Sequence, residues 1–153
     1  MTRSISLPHG QIALVDDADY ERINAHRWHV ASGYARRKLT PTSTPIKMHH
    51  EVLRPPAGFE TDHINGNKLD NRLCNLRIAT RDQNMYNKRA YKNNTSGYKG
   101  VCWKKENERW VAQINIGRKR VCLGYFDDAI AAAQAYDAAA SEHYGEFARL
   151  NFE

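Results

Sequence analysis

Asp62 and His63 stand side by side, Asn75 follows His63 by twelve positions and Asn84 follows it by twenty-one. Asn65-Gly66-Asn67, Asp70-Asn71-Arg72 and Arg77 lie between them. A carboxylate, an imidazole that is mostly neutral near pH 7 and a set of amide oxygens can together hold one hard divalent cation and deprotonate a water beside it. Such parts suit phosphodiester hydrolysis, which needs an activated water and stabilisation of the phosphate and the departing 3′ oxygen. Each residue also has a plainer reading. Asp62 could cap a turn, Asn75 and Asn84 could be surface amides, and Asp70-Asn71-Arg72 reads as an Asx-type turn with Arg72 or Arg77 paired to Asp70.

The elements that must position these groups are short. Residues 59–64 read as a strand, Asn65-Gly66 or Gly66-Asn67 supplies the positive-φ residues of a turn, and residues 73–78 return. Residues 82–87 read as a helix capped by Thr80 or Asp82, giving a ββα order. Upstream, residues 4–7 and 11–15 read as strands around Pro8-His9-Gly10. Residues 16–21 open a helix with acids in its first turn and Ile23 on its apolar side. Residues 28–30 and 34–36 flank a Ser32-Gly33 turn, residues 41–45 form a loop, and residues 46–53 read as a strand or helix start leading to Pro55-Pro56. His26 and His29 read as packing for Trp28 rather than as a metal pair. Arg36, Arg37 and Lys38 are candidate backbone contacts.

The string "DHINGNKLDNRLCNLRIATRDQNMYN" resembles the HNH nuclease motif, and the phage-type HNH homing endonucleases in particular, over residues 46–90. The resemblance implies a ββα-metal finger with Asp62 and Asn84 as metal ligands and His63 as the general base. It also implies that Asn75 bridges the hairpin and holds the His63 loop, that Arg81 contacts the region of the scissile phosphate, and that His49 supports the site. Two protein ligands suit Mg²⁺, which keeps waters and takes phosphate oxygens, or another divalent cation such as Mn²⁺. Asn84 stands where many HNH enzymes have histidine, which favours a hard cation over zinc.

Composition agrees with a polyanionic partner. The net charge is +6. Between Arg81 and Arg120 there are eleven Lys/Arg against three acidic residues, a concentrated electrostatic footprint. Cys74, Cys102 and Cys122 form no Cys-x-x-Cys pair, which argues against a structural zinc site. No apolar run approaches the roughly 18 residues that span a bilayer, and no apolar signal core follows Met1, so no membrane association is expected. A cytoplasmic protein of a bacterial or phage-infected cell is expected.

Beyond the polar, basic residues 88–96 the pattern changes to strand alternation. Residues 97–103 read as one strand. Residues 109–116 read as a second, with Trp110, Ala112, Ile114 and Ile116 to one side, and 119–123 as a third, with Val121 and Leu123 inward. Asp127-Asp128 cap an alanine-rich helix over residues 129–143, ended near Gly145. Trp103, Trp110, Phe126, Tyr136 and Phe147 are expected in the core. "GYKGVCWKKENERWVAQI", "LGYFDDAIAAAQAYDAAA" and "YGEFARLNF" resemble the Apetala-2/ethylene-response-factor (AP2/ERF) DNA-binding domain over residues 97–152. That family reads the major groove with its three-stranded sheet. Carried over, the contact positions are Lys99, Cys102, Lys104, Arg109, Gln113, Asn115, Arg120 and Cys122. Cys102, Asn115 and Cys122 stand where the plant factors carry arginine or tryptophan, so the plant target does not transfer.

The expected fold class is α+β. A β-rich N-terminal region leads into a ββα-metal (HNH) finger, followed by a three-stranded antiparallel sheet packed on one helix. The expected domains are a nuclease with its leader (1–90, core 46–90), a basic linker (91–96) and a sheet-type DNA-binding domain (97–153). The expected function is a metal-dependent, strand-nicking DNA endonuclease acting on double-stranded DNA as a monomer. Its catalytic residues are His63, Asn75 and Arg81, its metal ligands Asp62 and Asn84, and its supporting residue His49. Its DNA contacts are Lys88, Arg89, Lys92, Lys99, Lys104, Arg109, Gln113, Asn115, Arg118 and Arg120. The alternative is a non-catalytic, sequence-specific DNA-binding regulator on a degenerate HNH scaffold. An RNA-binding module ranks last, because the sheet lacks paired exposed aromatics for stacking bases.

Overall fold

The computed structural model describes residues 1–91, 93–117 and 119–152. It is α+β, built from four small antiparallel sheets and a few helices among the described residues. The chain divides into two compact units, Met1–Asn84 and Met85–Glu153.

In the first unit, β1 (Thr2–Ser6) and β2 (Ile12–Asp16) form a hairpin with Ile5 opposite Ala13. The chain turns at Pro8-His9-Gly10, where His9 and Gly10 both take positive φ. Helix α1 (Asp17–Asn24) starts with Asp17 and Asp19 in its first turn, where acids suit the dipole, and buries Ile23. Trp28 Nε1 donates to the Ile23 carbonyl at 2.8 Å, which ties the end of the helix to the segment entering the next strand. Strands β3 (His29–Ala31), β4 (Tyr34–Arg37) and β5 (Ile46–Lys47) make a second sheet, turned by Ser32 (φ 54°) and Gly33 (φ 80°). Residues 46–53 resolve into β5 and then helix α2 (Met48–Leu53). Ile5, Ala13, Val15, Ile23, Trp28, Ala35 and Met48 pack into one core.

Strands β6 (Glu60–His63) and β7 (Leu76–Ala79) pair with Asp62 opposite Arg77 and His63 opposite Leu76. Gly66 takes the expected positive φ of 74°, but the return differs from expectation. It begins at Leu76 rather than at residue 73, because residues 64–75 are held as a long loop by amide side chains. Asn65 Oδ1 accepts from Asn67 N (2.7 Å), and Asn67 Oδ1 accepts from Leu69 N (3.1 Å). The loop then bonds the leader: Leu14 N donates to Leu69 O and Asn71 N donates to Leu14 O, both at 2.8 Å, in a parallel bridge. Helix α3 (Arg81–Tyr86) begins with a reciprocal cap. Gln83 N donates to Thr80 Oγ1 (3.2 Å), and Thr80 N donates to Gln83 Oε1 (2.8 Å).

In the second unit, β8 (Val101–Lys104), β9 (Arg109–Ile116) and β10 (Lys119–Phe126) form an antiparallel sheet in the order β10-β9-β8. Helix α4 (Ala129–Tyr144) lies against it, with Asp128 Oδ2 accepting from Ala131 N at 2.9 Å. Ala132, Ala133 and Ala140 are fully buried, and their size lets the helix approach the sheet closely. The first strand starts at Val101 rather than at residue 97, because Gly97 (φ 77°) and Gly100 (φ 79°) bend the chain. Trp103 (42% exposed) and Val121 (37% exposed) are not in the core as expected. Both sit on edge strands, and the core under α4 is centred on Val101, Ala112 and Ile114. Asp137, buried on α4, accepts from Asn151 N (2.9 Å) and Phe152 N (3.0 Å), which straps the C-terminal segment down.

Candidate functional site

His63 ends β6 and is 5% exposed; its neighbour Asp62 is 4% exposed. His63 Nε2 lies 3.4 Å from Asn71 Oδ1. The Asn71 amide is oriented by its own Nδ2, which donates to Leu69 O (3.1 Å) and Met48 Sδ (3.3 Å). Asn71 Oδ1 is therefore set to accept, an arrangement that favours a proton on His63 Nε2. Burial pushes the His63 pKa below its ordinary value, against the Asn71 bond and the Asp62 charge that would raise it. The imidazole is thus held neutral, the form that takes a proton.

Helix α2 places His49 edge-on to His63, with ring centroids 4.8 Å apart and planes at 88°. Its pKa is pushed down to about 2, first by burial, then by His63, His50, Lys47 and Arg36. Asn75 fastens the loop between the strands. Its Oδ1 accepts from Asn65 N (2.9 Å), its Nδ2 donates to Asp70 O (2.8 Å), and its carbonyl accepts from Ile64 N (2.9 Å). Asp70 pairs with Arg72 and not Arg77, and those bonds hold its carboxyl below the usual range.

Arg77 binds Asp62 instead: Nε and one terminal nitrogen reach Asp62 Oδ2 at 2.9 and 2.8 Å. Asn84 Nδ2 donates to Glu60 Oε2. Glu60 and Asp62 are two apart on β6 and so share a strand face. Asp62, Glu60 and the Asn84 amide offer hard oxygen donors, a set that fits Mg²⁺ or Mn²⁺ better than a soft metal. No group of three or more His, Cys, Asp or Glu with metal-holding geometry occurs among the described residues. Arg81, the first residue of α3, is exposed.

The strand register sorts the second unit's candidates. Cys102, Lys104, Arg109, Val111, Gln113, Asn115, Arg120 and Cys122 fall on the sheet face away from α4. Lys104, Arg109, Asn115 and Arg120 are exposed there, and Arg109 pairs loosely with Asp127 at 3.2 Å. Lys88 and Arg89 are also exposed. Lys99 is not on that face. Its ammonium donates to the Tyr86 carbonyl, and burial lowers its pKa to about 8. Lys92 and Arg118 lie outside the described residues. Sequence reasoning missed Tyr125, 51% exposed on the outward face. A bulge between Cys122 and Gly124 resets the alternation there, and simple period-two reading cannot see it. It also missed Tyr34, Glu60, Asn71 and the Asp62–Arg77 pair, for which no local pattern exists.

An HNH endonuclease family model matches residues 54–86, and an AP2 domain model matches residues 96–146. An uncharacterized HNH endonuclease of Acanthamoeba polyphaga mimivirus is 30% identical over 149 residues, which covers 93% of this chain and 75% of that protein. Protein 3.8 of Escherichia phage T7 is 43% identical over 65 residues, 42% of this chain and 54% of that protein, so the match spans about half its length. An AP2/ERF and B3 domain-containing protein of Oryza sativa subsp. japonica is 50% identical over 58 residues, 38% of this chain and 16% of that protein.

Proposed function

From the premise that this chain belongs to the HNH endonuclease family and carries an AP2 domain, we propose that it is a metal-dependent endonuclease that nicks double-stranded DNA. The observation that carries the reading is the buried, neutral His63 beside Asp62 on β6, with Asn75 locking the loop after it.

His63 accepts the proton of the attacking water, and Asn71 orients its ring through Nε2. General-base help of this kind is worth roughly 10²–10⁴-fold. Asp62 and Asn84 would hold Mg²⁺ or Mn²⁺, and a bound cation would supply Lewis-acid stabilisation of the charge that develops in hydrolysis. Glu60 turns the Asn84 amide by accepting from its nitrogen, which leaves the oxygen as the atom offered to the cation. Arg81 reaches the phosphate, and His49 supports the His63 ring. We read β6, β7 and α3, in that order along the chain, as a ββα-metal finger. We assign residues 1–90 to cleavage, 91–96 to a basic linker and 97–153 to DNA reading. In the last segment Lys104, Arg109, Gln113, Asn115 and Arg120 face the duplex, and Lys88 and Arg89 contact its backbone. One site cuts one strand, so a monomer nicks. The protein works in the cytoplasm of its host cell.

The test is supercoiled plasmid incubated with Mg²⁺, with EDTA and with His63→Ala. Nicked circles are expected only with Mg²⁺ and the intact histidine. One observation favours the regulator alternative: Asp62 is ion-paired with Arg77. Plasmid that is retarded in a gel yet stays supercoiled in both Mg²⁺ and Mn²⁺ would establish that alternative and sink the nuclease reading.

A further inference from the structure

The β3–β4 turn and the loop after His63 meet at one aromatic ring. Lys68 Nζ donates to the Ser32 carbonyl at 3.3 Å, and Lys68 Cδ comes within 3.3 Å of where a Cβ on Gly33 would stand. The same ammonium lies 4.4 Å from the centroid of the Tyr34 ring; Lys47 Nζ lies 5.1 Å from it and the Arg36 guanidinium 5.7 Å. Tyr34 in turn lies 5.2 Å from His49 and 6.0 Å from His63, ring centroid to ring centroid.

Three cations from three segments thus gather within about a Debye length of one another, at the edge of the imidazole pair. None of the three has a carboxylate within ion-pair distance among the described residues. The acids whose charge acts on Tyr34, Glu60 and Asp62, are engaged by Asn84 and Arg77. Arg36 Nε is buried without a hydrogen-bond partner. A ring face attracts each cation weakly, but like charges sharing one ring repel. An anion seated among them removes the repulsion and satisfies the donors. The chemistry that fits is a phosphate oxygen, approached by two ammonium groups and the Tyr34 hydroxyl.

We propose that Tyr34, Lys47 and Lys68 form a seat for a DNA backbone phosphate next to His63. The β3–β4–β5 sheet, which lies before the 54–86 segment that matches the HNH family model, then supplies part of the substrate site. That this phosphate adjoins the cleaved bond rests on the nuclease reading; that it is bound does not.

The experiment measures affinity of the full chain for duplex DNA in EDTA against salt concentration, for the wild type, Lys47→Gln and Lys68→Gln. Each variant loses one phosphate contact, so the slope of log affinity against log salt falls by about 0.9. Lys68 is exposed, so Lys68→Gln folds even if the half-buried Lys47 does not tolerate exchange. A Lys68→Gln protein with the wild-type melt and the wild-type slope overturns the seat. In Mg²⁺, Tyr34→Phe keeps the ring and removes only the hydroxyl; nicking is expected to slow on the order of tenfold, with weaker DNA binding in EDTA but an unchanged salt slope, because a neutral donor releases no counterion. Wild-type nicking by Tyr34→Phe removes Tyr34 from the seat. If the wild type does not nick but the lysine slopes fall, the seat stands as a DNA contact and the nuclease reading fails. If the wild type nicks and the slopes hold, the nuclease reading stands and the seat fails.

Discussion

At the scale of single residues, the site depends on amides and imidazoles kept away from water. Asn75 is the clearest case, because its side chain spans the loop with two hydrogen bonds while buried. Asn75→Ala leaves the Asn65 N–H and the Asp70 carbonyl without partners. The expected loss is about 1–3 kcal/mol in urea unfolding, with nicking lost more completely than stability. His49 gives a pH signature. Its folded pKa of about 2 lies far below the ordinary 6.5, so between those values the unfolded chain binds a proton that the folded chain refuses. Its contribution is therefore fully present above about pH 6.5 and drains away as pH falls, by up to about 1.4 kcal/mol per pH unit. His50 and His63 shift in the same direction and add to the slope. Unfolding by urea at pH 7 and pH 5 should show the first unit losing stability, and His49→Gln should flatten, without abolishing, that dependence.

At the scale of elements, the second unit turns on how closely α4 approaches β8 and β9. A Cβ on Gly100 would stand 2.0 Å from the Tyr136 ring, and its φ of 79° already disfavours any other residue. Gly100→Ala should cost at least about 2 kcal/mol, seen as a lower melting temperature with loss of DNA retention. Asp128→Ala removes only the α4 cap and should cost about 1 kcal/mol. These elements were readable from the sequence because their signals are local: alternation from Arg109 to Ile116, an acidic cap before an alanine run, and a glycine at its end. Trp103 and Val121 were misread because alternation gives the face of a strand, not how far the covering helix reaches. Tyr125 was hidden by a bulge that only strand pairing reveals. The partner of Asp62 was equally out of reach, since Arg72 and Arg77 both lie close to Asp70 in sequence. The choice between them was made by β6–β7 register, which sets Asp62 opposite Arg77.

At the scale of the whole molecule, two compact units divide the chain near Asn84, and the family models fall on either side of that division or close to it. Residues 91–153 expressed alone should retain duplex DNA without nicking it. A protein that fails to bind would remove the assignment of DNA reading to the sheet. The converse fragment is less obvious. The segment that matches the HNH model ends its loop on the leader strand: Leu14 exchanges two backbone hydrogen bonds with Leu69 and Asn71, and Leu73 N donates to Asp16 Oδ2 at 2.7 Å. These contacts join residues more than fifty positions apart, so they are costly to close and form only in the complete unit. A cassette cut at residue 54 would leave those loop groups bare and give up the core that Ile5, Val15 and Ile23 build. A transfer of the HNH segment between proteins would therefore have to carry the leader along, since the unit that packs together is Met1–Asn84, with the motif as its most visible part.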